Sequence, residues 1–123
     1  MSEATEDLDF YLMANLRPAT TGLPMVIWVS ERGNARHDVR IKVSAIHGSH
    51  IQPTNLATVA VRPTPHLVVE QALSPTDQQV VFRWVALNET ALVDYWEGRI
   101  DTAELLQRLQ GLPSSGSRRQ RSR

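Results

Sequence analysis

The strongest constraint on this chain lies between Ser74 and Gly111, where two of its three tryptophans and every strong helix signal are concentrated. Ser74 can accept from the amide of Asp77 and Pro75 fits a first helical turn, so the Ser-Pro-Thr-Asp run predicts a helix starting at Pro75. Val80, Val81, Trp84, Val85 and Leu87 recur at separations of three and four and draw an apolar stripe, with Gln78, Gln79, Arg83 and Ala86 mostly on the other side. Asn88 is a poor interior residue and a good cap, which predicts a break there, and Leu92 and Trp96 form an i, i+4 apolar pair ahead of Gly98. Asp101 and Glu104 make a second cap signature, Leu105, Leu106 and Leu109 supply its apolar face, and Gly111 with Pro113 closes it. Two or three short helices in series therefore need a sheet to cover.

The strands come earlier. Met25 to Ser30 is rich in β-branched and aromatic residues, and between His37 and Ala45 the residues Val39, Ile41 and Val43 alternate with Asp38, Arg40, Lys42 and Ser44, the period of a strand with one face buried. These two predict a hairpin around Gly33 and Asn34. Ala57 to Arg62 alternates again as a third strand stopped by Pro63 and Pro65, and Leu67 to Glu70 is a fourth, short strand or an extended approach to Ser74. Residues 46 to 55 read as loop. The expected fold is α+β, with an antiparallel sheet of three to four strands and two or three short C-terminal helices packed on one face.

At 123 residues the chain holds one domain's worth of core, placed at residues 16–112. Residues 1–15 read as an acidic, partly helical N-terminal arm, and residues 113–123 as a disordered Ser/Arg-rich tail. The zero net charge is uneven, since Glu3, Glu6, Asp7 and Asp9 open the chain and Arg118, Arg119, Arg121 and Arg123 end it. A neutral body argues against a built-in nucleic-acid face, and the terminal arginines offer at most weak, non-specific phosphate contact. There is no cysteine, which removes disulfides, thiolate metal sites and cysteine nucleophiles. No apolar run is long enough to span a membrane, and the acidic opening predicts no secretory leader, so a cytoplasmic location is expected.

Little in the sequence converges on chemistry. His47 and His50 have a spacing that two metal ligands can use, but a third ligand would have to come from an unrelated loop, so His37, His47, His50 and His66 read as exposed loop histidines and neither metal nor cofactor is expected. Glu89, Asp94, Glu97, Asp101 and Glu104 fall on exposed helical positions, and no phosphate-binding or nucleophile-elbow motif is present. Trp28, Trp84, Tyr95 and Trp96 read as core. The best functional surface is basic: Arg36, His37, Arg40, Lys42 and Arg62, expected on the sheet face that the helices leave open.

The run from Val81 to Leu106, with Trp84-x-x-x-Asn88 followed by Leu92-x-x-x-Trp96, resembles the closing segment of a family of small bacterial domains of unknown function. The likeness covers about residues 23 to 110 and includes the β-β-β-α order. Family members carry Asn-Pro-Pro-His-x-His-Val at the second strand. Here Asn34-Ala-Arg-His37-Asp-Val39 keeps one histidine and lacks both prolines. The resemblance implies no activity, and it implies a partner-associated protein reminiscent of toxin–antitoxin modules. A non-enzymatic interaction module with an unknown protein partner, or with itself, is the expected function. A nucleic-acid-associated protein using the basic strand face is the alternative, and a small metal-dependent or hydrolytic enzyme comes third.

Overall fold

The computed structural model describes residues 13–49, 55–68 and 73–112. Five strands form one antiparallel sheet in sequence order: β1 (Ala14–Leu16), β2 (Met25–Val29), β3 (Arg40–His47), β4 (Leu56–Ala60) and β5 (His66–Leu67). One helical turn, α1 (Pro18–Thr21), links β1 to β2, and α2 (Pro75–Leu87), α3 (Glu89–Trp96) and α4 (Thr102–Arg108) follow the sheet. Consecutive antiparallel pairing puts the β2–β3 and β4–β5 connections at one end of the sheet and the β1–β2 and β3–β4 connections at the other.

Alternation decides which side chains meet the helices. Ile27, Val29, Ile41, Val43, Ala57 and Val59 join Val81, Trp84, Val85, Leu92, Tyr95 and Trp96 in one buried cluster. The caps that frame these helices are those that local chemistry dictates. Ser74 Oγ accepts from Asp77 N at 3.1 Å, and Asp101 and Glu104 exchange backbone bonds at 2.8 Å in a complete capping box. The break at Asn88 has a tertiary reason as well. Its side-chain amide donates to the carbonyls of Trp84 (2.9 Å) and Gln110 (3.0 Å) and accepts from Gln110 N (2.7 Å), so one buried residue ends α2 and fastens the segment leaving α4. Further on, Leu112 N donates to Thr21 O, and a Cβ on Gly22 would stand 2.4 Å from Leu112 O. Gly22 also has φ +81°, so closing α1 and admitting the chain's end both call for glycine there.

The α+β architecture is the expected one, with five strands in place of three or four and four helices in place of two or three. Both additions come from residues 14–21. Ala14 and Asn15, assigned to the partly helical arm, pair with Val29 and Trp28 as an edge strand, and the Arg-Pro-Ala-Thr-Thr-Gly loop signal closes into one helical turn with Pro18 at its start. β3 is displaced along the chain, from His37–Ala45 as read to Arg40–His47, because its end is bulged: Met25 pairs with His47 while Ile27 pairs with Val43. Ser44 Oγ donates to Ile46 O and accepts from Ile46 N, satisfying groups the bulge takes out of the ladder. The remainder of the N-terminal arm, His50, the end of the fourth strand at residues 69–70 and the tail at residues 113–123 lie outside the described residues.

Candidate functional site

The residues expected to share one basic face divide between two places. Arg36 and His37 sit in the loop that joins β2 to β3, and that loop is tied to the end of α3 at several points. Arg32 N donates to Trp96 O at 2.9 Å, and the His37 ring lies over that of buried Trp96 with centroids 5.4 Å apart. Arg62, just past β4, grips Asp38 through Nε–Oδ2 at 2.7 Å and Nη2–Oδ1 at 2.8 Å, and reaches Glu97 at 3.4 Å. Two-pronged pairing with Arg62 holds the Asp38 carboxyl down at about 2, and the same bonds raise the Arg62 guanidinium further above its ordinary range. Arg62 is thus a clamp for the loop, with its charge balanced by Asp38 and Glu97. Arg32 and Arg36 in the same loop are exposed and have no ion-pair partner among the described residues.

Arg40 and Lys42 lie on the sheet face opposite the helices, as alternation requires. That face is not open at its centre. Val26 and Trp28 alternate away from the helix-side cluster, yet Trp28 is only 1% exposed, and polar Ser44 and Thr58 on this face are buried at 2% and 6%. Trp28 pairs with Lys42 and Lys42 with Thr58 across the strands, and Lys42 Nζ donates to Thr58 Oγ1 at 2.9 Å. One row nearer the β2–β3 loop, Arg40 pairs with Ala60 and Ala60 with His66. Arg40 is half-buried, and its Nε is shielded from solvent without a hydrogen-bond partner among the described residues. His66 is exposed, and its Nδ1 donates to Thr64 O at 2.7 Å, which holds the ring. His37 has the same arrangement, with Nδ1 donating to Asp38 O at 2.8 Å.

His47 is not a loop histidine. It ends β3 on the helix side, and its Nε2 donates to both oxygens of Asp77 at 3.0 and 3.1 Å. Asp77 is 8% exposed in the first turn of α2, so this pair fastens the far end of the sheet to the helix start. Among the described residues no group of three histidine, aspartate or glutamate side chains is gathered to hold a metal ion, and no helix is long and apolar enough to cross a membrane. A shallow depression of about 230 Å³ beside Asn88, Arg108 and Gln110 contains none of the basic residues singled out in the sequence.

His66, Asp38 and Glu97 belong to this end of the molecule and were not singled out as a group. Asp38 and Glu97 lie 24 and 35 residues from Arg62 in the chain, so only the sheet register and the position of α3 bring them to it. No family model, curated protein or solved structure matches the chain.

Proposed function

We propose that this chain is a non-enzymatic protein-interaction module of the bacterial cytoplasm, and that it engages an acidic partner with the end of the sheet formed by the β2–β3 loop and the β4–β5 turn. The observation that carries this reading is Arg40, a half-buried cation whose shielded Nε–H has no acceptor among the described residues. An unmet donor of this kind costs about 1 to 3 kcal/mol, which an acceptor recovers where binding uncovers the group. Unpaired Arg32 and Arg36 in the adjoining loop add attraction that would speed association and weaken with salt. The clamp formed by Arg62, Asp38 and Glu97 supports the reading in a different way, by holding the loop in one arrangement before any partner arrives.

The test reverses charge at Arg36 and Arg40 together, as Arg36→Glu with Arg40→Glu, after circular dichroism has established that the fold survives. Self-association by sedimentation and co-purification from the native cell are then followed at low and high ionic strength. Association by the parent at low salt, lost at high salt and lost in the double variant, is the expected result. Equal association by parent and variant would sink the proposal. If the species lost on charge reversal is DNA or RNA, the nucleic-acid reading replaces the protein one.

A further inference from the structure

We infer that residues 1–12 of the same chain lie across the sheet face away from the helices and form its cover. The face needs one. Val26 and Trp28 are 0% and 1% exposed, yet among the described residues they are the two buried apolar side chains that stand outside the helix-side cluster. Ser44 and Thr58 beside them are buried as well, and Arg40 Nε is shielded from solvent. Side chains stand roughly upright on a sheet, so neighbours in a row flank one another without roofing one another, and a tryptophan has about 150 to 250 Å² to hide. Trp28, Lys42 and Thr58, which form one cross-strand row, each take part in further interactions. The described connections are engaged on the other side: Leu16 and Leu23 around α1, Ala35 and Val39 in the β2–β3 loop and Val61 after β4 all pack in or against the helix-side cluster.

Position, composition and charge select the N-terminal residues for this role. β1 begins with Ala14 opposite Val29, so the chain before it reaches the edge strand beside β2, at the end of the sheet where β3 starts with Arg40. At about 3.3 Å per residue, residues 1–12 span about 40 Å, against about 14 Å from β1 across to β4. Leu8, Phe10, Tyr11 and Leu12 stand nearest to β1 and so to Val26 and Trp28 on β2, and Glu3, Glu6, Asp7 and Asp9 bring negative charge within reach of Lys42 and Arg40 on β3. Counting back from β1, apolar residues come before most of the acids, as apolar Trp28 comes before basic Lys42 across the strands. Residues 113–123 offer neither property, since beyond Pro113 they are serine, glycine, glutamine and arginine, with charges of the same sign as Lys42. Residues 50–54 and 69–72 are spent in joining β3 to β4 and β5 to α2.

The chain has no cysteine, so the full-length protein can carry a nitroxide at one chosen site, through Ala4→Cys in the arm or Ser117→Cys in the tail. By nuclear magnetic resonance, the amides of Trp28, Lys42 and Thr58 are expected to lose at least half their intensity to the label at residue 4, more than Leu105 and Arg108 in α4 lose, and to keep it with the label at residue 117. Equal losses from the two labels would overturn the cover. Mixing labelled protein with isotope-enriched, unlabelled copies identifies the source: losses that arise only between copies would assign the cover to a second copy and overturn the inference. Phe10→Ser with Tyr11→Ser removes apolar contact and keeps every charge, so exchange of the Trp28 indole N–H should accelerate at least tenfold while that of Trp84 keeps its rate. Unaltered exchange at Trp28 would also overturn the cover. Should the double variant fail to fold, Phe10→Ser alone applies the same test. The inference goes beyond the interaction reading and does not depend on it. These readouts are made on the protein alone, so failure of the module leaves them untouched, and their own failure leaves the module with Arg32 and Arg36.

Discussion

On the helix-covered side of β3, Ile41 and Val43 are buried among other apolar side chains, whereas one residue along, on the opposite side, Ser44 is equally buried but polar. The first face is held by volume. The second contains Trp28, Lys42, Ser44, Thr58 and Arg40, and each polar group there needs its own accommodation: Ser44 bonds twice to the backbone of Ile46, and Lys42 donates to Thr58. Arg40 Nε is the exception on that side, as Trp84 Nε1 is in the apolar cluster, where the indole N–H has no acceptor among the described residues. The difference teaches that a polar residue at an alternating position marks which face it lies on and says little about exposure. It also separates two kinds of unmet donor: one at the centre of a core no partner reaches, the other on a half-buried cation near the rim.

The largest expected effect tests whether volume holds the helix side. Trp84→Ala should cost about 3 to 5 kcal/mol, a large part of a total of about 5 to 15, as read by denaturant unfolding. Trp84→Phe should cost less than half as much, because it removes an N–H that has no acceptor among the described residues. An unchanged midpoint for the alanine variant would break the picture of helices covering this face. Asn88→Ala comes next, at about 2 to 3 kcal/mol, because one buried and two partly buried hydrogen bonds disappear and Gln110 N loses its acceptor. Amide exchange at Gln110 should accelerate in the same variant, and full protection there would show that the fastening is held by something else.

Neighbouring substitutions in β3 sharpen the contrast between faces. Val43→Ala should lose about 2 kcal/mol through the void it leaves, while Ser44→Ala should lose about 1 kcal/mol or less, since exposed Ile46 can bond to water instead. Equal losses would mean that both faces depend on packing alone. The smallest effect belongs to the clamp. Arg62 holds the Asp38 carboxyl at about 2, below the ordinary value of about 3.9, so its contribution is complete above about pH 4 and disappears as the pH falls toward 2. Both partners are well exposed to solvent, which limits the contribution to no more than about 1 kcal/mol. Asp38→Asn should remove that part of the acid-induced loss of stability, and a variant with an unaltered acid limb would show that the clamp does not contribute.

Much of the fold was legible because it is local. Ser74, Asp101 and Glu104 act on their own backbone neighbourhood, and the alternation from Val39 to Ser44 is a property of three consecutive pairs of residues. The start of the sheet was not legible. Met13 to Leu16 is too short to establish a period, and Ala14 and Asn15 become strand only because β2 offers them a ladder. The basic group was legible as residue types but not as a site. Arg40 and Lys42 do share a face, while Arg62 turns to Asp38 and Glu97, and His66 joins the row through β5, the shortest strand of the sheet.

By itself the sequence determined the starts of α2 and α4, the two-fold alternation of the middle strands and the burial of Trp84 and Trp96, since each follows from backbone geometry and apolar spacing within a few residues. Tertiary structure alone decided which charges are spent and which remain. Arg62 meets Asp38 across 24 residues and Glu97 across 35, and Arg40 Nε meets no acceptor among the described residues, because pairing of charged side chains depends on distances set by register and helix placement, which no short stretch of chain encodes.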